Sequence, residues 1–235
     1  MQKLKVGVLI FPKTTMLDAY APHQMFAYVE QFETFIVAKT KDPLCADSGA
    51  ILTANYDFND CPDIDVLVVP GAADILDCMK DTATIDFLRK VGQKAQYVTS
   101  VCTGSLLLAE AGLLDGYKAA THWGYEDCLE SYPEVTVVQD RVSIDRNRIT
   151  AGGITAGIDY GLVVIGEVVG PDAAQTIQLI FQYDPKPPYT AGLPSTAPPK
   201  ILQGVEPIIS HFKGLGTGLL NFCQSHAERR TKAEA

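Results

Sequence analysis

An α/β fold, with a mostly parallel sheet covered by helices on both faces, is predicted by three observations. Apolar runs of strand length recur at residues 5–11, 34–39, 65–70 and 97–101. Segments with helical spacing alternate with them, the pattern of strand–helix–strand units. The chain has 235 residues, 47% hydrophobic and 20% charged, which suits one such domain with additions better than two small ones.

Taken in order, KVGVLIF (5–11) is the first strand. Residues 16–30, rich in Ala, Met and Phe, read as a helix opened near Pro22. TFIVAK (34–39) is a second strand. A turn-rich stretch with Gly49 and Asn55 follows, and residues 51–54 read as part of a short edge hairpin. DVLVVP (65–70) is a third, buried strand ending at Gly71. Residues 82–91 are helical, with Ile85, Leu88 and Val91 on one face. YVTSV (97–101) is the fourth strand, and residues 104–112 a helix closed by Gly112. Residues 119–121 read as a short strand and 126–131 as a helix. Residues 135–138, 141–145 and 148–150 are short strands, with a tight turn at 145–147. Residues 152–170 form a buried helix with glycines at its start, and 172–182 another. The segment 183–200, DPKPP and onwards, is Pro-rich, extended and superficial. Helical character resumes over 202–229, weakened by Gly214, Gly216 and Gly218. The expected division is an α/β domain over 1–182, with 183–235 as a connector and helical extension of the same domain.

Charge and composition narrow the function. The net charge is −9, and no basic stripe runs along the chain; Arg229, Arg230 and Lys232 are the nearest approach. That argues against a nucleic-acid partner, because phosphate contacts need clustered cations. No apolar run is long enough to span a membrane. The apolar stretch near the N-terminus, though followed by Ala19-Tyr20-Ala21, is too short for a signal core, so a cytoplasmic protein is expected. Six cysteines, at 45, 61, 78, 102, 128 and 223, show neither C-x-x-C nor metal-like spacing with histidine. No metal or organic cofactor is expected, and most of these thiols should be small buried hydrophobes.

Cys102 stands apart by context. It lies where the strand 97–101 turns into a helix beginning at Gly104, so its side chain should be held out at the carboxyl edge of the sheet, where open α/β sheets bind ligands. The amides of Thr103 and Gly104 and the helix dipole favour negative charge there, so a thiolate of lowered pKa is expected.

The segments VLIFPKTTMLDAYAPHQMF, DVLVVPGAAD, YVTSVCTGSLLLAEAGLLDG, AATHW and ITAGGITAGIDYGL resemble, in order, the ThiJ/PfpI superfamily within the class I glutamine amidotransferase-like fold. The Cys-Thr-Gly-Ser turn, the Leu-Asp after the first strand and the Pro-rich segment are similar to those of its isocyanide hydratases. This resemblance implies a flavodoxin-like three-layer sandwich, a homodimer and a small-molecule substrate. It implies Cys102 as nucleophile in a nucleophile elbow, Asp18 as acid and base, and Thr103 as an orienting hydroxyl or merely a helix-terminal one. The implied reaction hydrates an isocyanide to an N-substituted formamide through a thioimidate on Cys102. Gly71, Ala72, Gly104, His122, Trp123, Gly153 and Ile154 are expected around the site. His122 is as readily a packing partner of Trp123 as a member of the chemistry. Pocket size should be set by residues 18–30, 71–77, 123–128 and 183–196.

Two departures matter. Ala72 replaces the second glycine of the usual Pro-Gly-Gly, which puts an oxyanion-binding amide in doubt, since a positive φ there would strain alanine. The His-x-Glu pair of glutamine amidotransferases is missing, and Thr103 stands where PfpI-type peptidases carry histidine. Two other classes stay open: a glyoxalase- or deglycase-like thiol enzyme, and a non-enzymatic redox or ligand sensor related to regulators with helix-turn-helix tails.

Overall fold

The structure is a computed structural model and describes residues 2–213, 218–226 and 228–229. The first strand, β1 (Leu4–Leu9), is followed by α1 (Met16–Phe26), β2 (Phe32–Ala38), β3 (Leu44–Cys45), β4 (Ile51–Leu52), β5 (Tyr56–Asp57) and β6 (Val66–Val69). Then come α2 (Leu76–Lys80), α3 (Thr82–Gly92), β7 (Tyr97–Val101), α4 (Gly104–Glu110) and β8 (Lys118–Ala119). A 3-10 turn at Trp123–Tyr125 leads into α5 (Glu126–Leu129), β9 (Thr136–Val137), β10 (Val142–Asp145) and β11 (Arg148–Ala151). The helices α6 (Ala156–Val168), α7 (Pro171–Ile180), α8 (Pro199–Phe212) and α9 (Gly218–Gln224) follow.

The main sheet has the order β10-β11-β7-β6-β1-β2-β5 and is parallel throughout except for the β10–β11 pair. Its central strands are buried on both faces, which is why they read as unbroken apolar runs. On one face Leu67, Val69 and Val98 pack with Leu88 of α3, Leu106 and Leu107 of α4, and Leu219 of α9. On the other, Val6, Val8, Val66 and Val68 pack with Met25 and Phe26 of α1 and with Tyr160 and Val164 of α6. The result is the three-layer, flavodoxin-like sandwich. Burying a leucine such as Leu106 contributes about 2–3 kcal/mol, so each layer is held by many additive contacts.

Topology places the site. The chain leaves β1 toward β2 on one side, then returns to β6 and β7 on the other. The switch of direction lies between β1 and β6, and a crevice at the carboxyl ends of the strands opens at such a point. The segments leaving β1, β6 and β7 there carry Asp18, Gly71–Ala72 and Cys102.

Several elements differ from the sequence expectation. Pro22 does not open α1 but lies inside it, and with no N–H it cannot donate to the carbonyl of Asp18. The hairpin is β3 with β4, a separate two-stranded sheet, while β5 forms the sheet edge. Residues 152–155 precede α6, and the strand expected at 119–121 is β8, paired in parallel with β9. The single-turn α2 has too few residues for periodicity to reveal it. Residues 183–198 run without regular structure and mostly exposed. Helix α8 has no fully buried residue, whereas Leu219 and Cys223 of α9 return to the core. Gly214, Gly216, Arg230 and Lys232 lie outside the described residues.

Candidate active site

Cys102 sits on the turn between β7 and α4 with φ +57°, in the left-handed region. A non-glycine residue there costs about 1 kcal/mol or more, so the surroundings must over-determine it. They do. Its amide donates to both the Ala151 and Gly152 carbonyls at 3.0 Å. Its carbonyl accepts from the hydroxyls of Ser105 at 3.1 Å and Thr121 at 3.2 Å. The residue is 5% exposed.

Close backbone approach explains the neighbouring glycines. A Cβ on Gly104 would lie 2.1 Å from the Val69 carbonyl oxygen, so only glycine lets α4 start against the end of β6. A Cβ on Gly71 would lie 2.6 Å from both the amide nitrogen and the hydroxyl oxygen of Thr103. The loop after β6 is thus pressed onto the loop after β7. Thr103 locks them: its hydroxyl donates to the Ala72 carbonyl at 2.7 Å and accepts from the Ala72 amide at 2.9 Å.

Asp18 enters from the first turn of α1, where its amide bonds the Thr15 carbonyl at 3.0 Å. It is fully buried. Its Oδ2 accepts from the Gly71 amide at 3.1 Å, and among the described residues Oδ1 has no hydrogen-bond partner. Burial raises the carboxyl to about 7, opposed by the Gly71 amide and by the Cys102 thiol, while the charge of Asp47 adds to the rise. Burial likewise pushes the Cys102 thiol up, and the Asp18 carboxylate adds to this; the Thr103 amide and hydroxyl pull it down. The thiolate expected from the helix dipole alone is therefore overturned for the resting site. Desolvation outweighs the dipole because the sulfur is almost sealed from water. What the site holds instead is an acid and a thiol close enough that the state of each shifts the other.

Cys102, Asp18, Thr103, Gly71, Ala72 and Gly104 come together as one cluster. Ala72 lies outside the left-handed region, so the strain anticipated for it is absent. Its amide, however, is engaged by Thr103, and that of Gly71 by Asp18, so neither is free to receive an oxyanion. His122, Trp123 and Gly153 form a flanking group. The His122 and Trp123 rings lie 5.5 Å apart, and a Cβ on Gly153 would meet the His122 ring at 2.7 Å. His122 Nδ1 accepts from the Gly124 amide at 3.1 Å, which places the proton of the neutral ring on Nε2, and burial lowers its pKa. Ile154 is 38% exposed at the surface.

Sequence reasoning missed Thr15, Asp47 and Thr121, and placed Tyr125 only within the 123–128 stretch expected to set pocket size. Thr15 bonds the Gly71 carbonyl through its amide at 2.9 Å and Asp47 through its hydroxyl at 2.6 Å. Tyr125 donates to the Ala73 carbonyl at 2.7 Å, and its hydroxyl is raised by burial and by the nearby Cys102. Thr121 supports the Cys102 carbonyl. The helix-start position of Thr15 and the place of Tyr125 just after the His-Trp pair were available as signals; nothing in the sequence marks Asp47.

A family model described as the DJ-1/PfpI family matches residues 4–167. The chain is 44% identical over 199 residues to the isonitrile hydratase of Pseudomonas putida, covering 85% of this chain and 87% of that protein. It is 34% identical over 143 residues to GbdR, an HTH-type transcriptional regulator of Pseudomonas aeruginosa, covering 59% of this chain but 38% of that protein. A crystal structure of a ThiJ/PfpI family protein from Pseudomonas syringae superimposes with a TM-score of 0.89 at 38% identity, covering 94% of this chain and 91% of that one.

Proposed function

The chain belongs to the DJ-1/PfpI family, and we propose that it is an isocyanide hydratase, converting an isocyanide and water to an N-substituted formamide with Cys102 as nucleophile and Asp18 as acid and base. The observation that carries this reading is the buried Asp18–Cys102 pair, in a chain 44% identical to an isonitrile hydratase.

The working form of the pair holds one proton. Cys102, presented as in a nucleophile elbow, attacks the terminal carbon through sulfur, and the pair's proton passes by way of Asp18 to that carbon. The product is a thioimidate, R–N=CH–S–Cys. Asp18 then takes a proton from water as its oxygen adds to the same carbon and delivers that proton to nitrogen, giving R–NH–CH(OH)–S–Cys, whose hydroxyl proton goes to sulfur in the next step. The C–S bond breaks, R–NH–CHO leaves, and the sulfur regains its proton. The burial that lifts Asp18 to about 7 makes it able to give and recover a proton near neutrality. No oxyanion accumulates on this path. It therefore suits a site whose Gly71 and Ala72 amides are already bonded, whereas hydrolysis of an amide would need such donors free. Thr103 acts as a positioning residue through Ala72.

Residues 183–235 are read as an extension of the 1–182 domain, in keeping with Leu219 and Cys223 in its core. A homodimer fits the exposed Leu179, Ile180, Tyr189 and Leu193. A cytoplasmic setting fits six unpaired cysteines, and no described helix is long and apolar enough to cross a membrane.

The test is incubation with cyclohexyl isocyanide while formamide absorbance is followed. Turnover that falls by about four orders of magnitude or more in Cys102→Ala is expected, as for loss of a nucleophile. Turnover of methylglyoxal but not of isocyanides would replace this reading with a glyoxalase-like one. Selective oxidation at Cys102 without any turnover would replace it with a sensor.

A further inference from the structure

A cleft of about 830 Å³ lies between parts of the chain far apart in sequence: Lys13 after β1, which is ion-paired with Asp74; Ala46, Asp47 and Ser48 near the β3–β4 hairpin; Ala73 and Asp74 after β6; and His211 and Phe212 at the end of α8. Two of its walls are linked to the reacting pair through intervening residues. Asp47 acts on the Asp18 carboxyl by its charge and is bonded by Thr15, the residue whose carbonyl holds the Asp18 amide. Ala73 follows Ala72, which is locked to Thr103, and its carbonyl is held by Tyr125, whose hydroxyl feels Cys102. The third wall belongs to a helix that is otherwise exposed. Its last turns are fastened to the segment around α5. Ile209 packs so tightly on Gly124 that a Cβ there would lie 2.9 Å from its Cγ2. Lys213, just past the helix, donates to both carboxylate oxygens of Asp127 at 2.6 Å. The part of α8 held in place is the part that lines the cleft, and Phe212 there keeps 37% of its surface uncovered.

We infer that the last turn of α8 is a specificity-determining wall of the active site, with Phe212 receiving an apolar substituent on the substrate nitrogen. The inference rests on the isocyanide reading and deepens it. The carbon end of the isocyanide is consumed at the thiol, so the substituent must project outward, and the cleft beside Ala73 and Asp74 offers the space. An apolar ring placed against Phe212 leaves water, which strengthens binding in proportion to the area covered. The substrate class favoured is therefore isocyanides with bulky apolar substituents over small ones.

The experiment compares KM for cyclohexyl isocyanide and methyl isocyanide in the full-length wild type, Phe212→Ala and Phe212→Leu. In Phe212→Ala the ratio of the cyclohexyl to the methyl KM should rise about tenfold, the scale of a lost apolar pocket contact. Phe212→Leu should restore most of the difference. A KM ratio the same in all three proteins overturns the wall. A wild type that turns over neither substrate overturns the isocyanide reading itself, so the two failures are distinct. Binding of N-cyclohexylformamide to Cys102→Ala, measured with and without Phe212→Ala, supplies a readout without turnover. Equal affinities there also overturn the wall.

Discussion

The rim around Cys102 and the helix α8 sit on the same side of the molecule and are built on opposite terms. At the rim nearly every backbone group is committed: Cys102 by four hydrogen bonds, Gly71 to Asp18, Ala72 to Thr103 twice. Helix α8 buries no residue completely, and its end is held by Lys213 on Asp127. The difference teaches where precision is needed. A proton relay between carboxyl and sulfur requires fixed distances, while a wall for an apolar substituent needs only shape and area.

One substitution made in both regions gives the sharpest contrast. Gly104→Ala forces a Cβ to 2.1 Å from the Val69 carbonyl oxygen, and the clash is with backbone that cannot swing away. A loss of about 3 kcal/mol in urea unfolding is expected, and a smaller loss than 1 would show that the rim is looser than its contacts suggest. Asp18→Asn comes next. Turnover should fall about a hundredfold. In the wild type kcat/KM should rise with pH through about 7, as the pair sheds the first of its two protons, and this limb should vanish in the variant. Stability should move the other way. The folded carboxyl is raised from 3.8 to about 7, so its contribution is complete below about pH 4 and is lost as pH climbs to 7. Asp18→Asn should therefore gain on wild type across that window, by on the order of 4 kcal/mol at pH 8, read by chemical unfolding at a series of pH values. The smallest effect is in α8. A Cβ on Gly204 meets nothing within 4 Å, so Gly204→Ala should raise stability by about 0.5–1 kcal/mol through helix propensity, visible in thermal unfolding.

The same contrast governs what could be read before any coordinates. The strands β1, β6 and β7 were legible because burial on both faces leaves an apolar run that no turn interrupts. Cys102 was legible because a strand, a small turn and a glycine-started helix adjoin in sequence. Asp18 was legible only through resemblance to a family, since α1 brings it to the thiol from 84 positions away. The protonation of the thiol was misread because the helix dipole is a local property while desolvation depends on everything packed around the sulfur. The engagement of the Ala72 amide depends on one threonine rotamer, which composition does not encode. Of the stretches expected to set the pocket, 71–77 supplies Ala73 and Asp74 to the cleft, whereas His211 and Phe212 lie outside all of them, because an exposed connector leaves no periodic trace of where the helix after it will land.

The threonine beside the nucleophile has a consequence for how such a protein can change. Its hydroxyl plays both parts of a peptide group toward Ala72, giving and taking a hydrogen bond as a neighbouring strand would. Serine could substitute for that rung, and valine, of the same shape, could not. Two loops coupled in this way inherit each other's mutations, so new substrate preferences would arise by single steps in the C-terminal helix far more readily than at the catalytic rim, where neighbouring positions would have to change in concert.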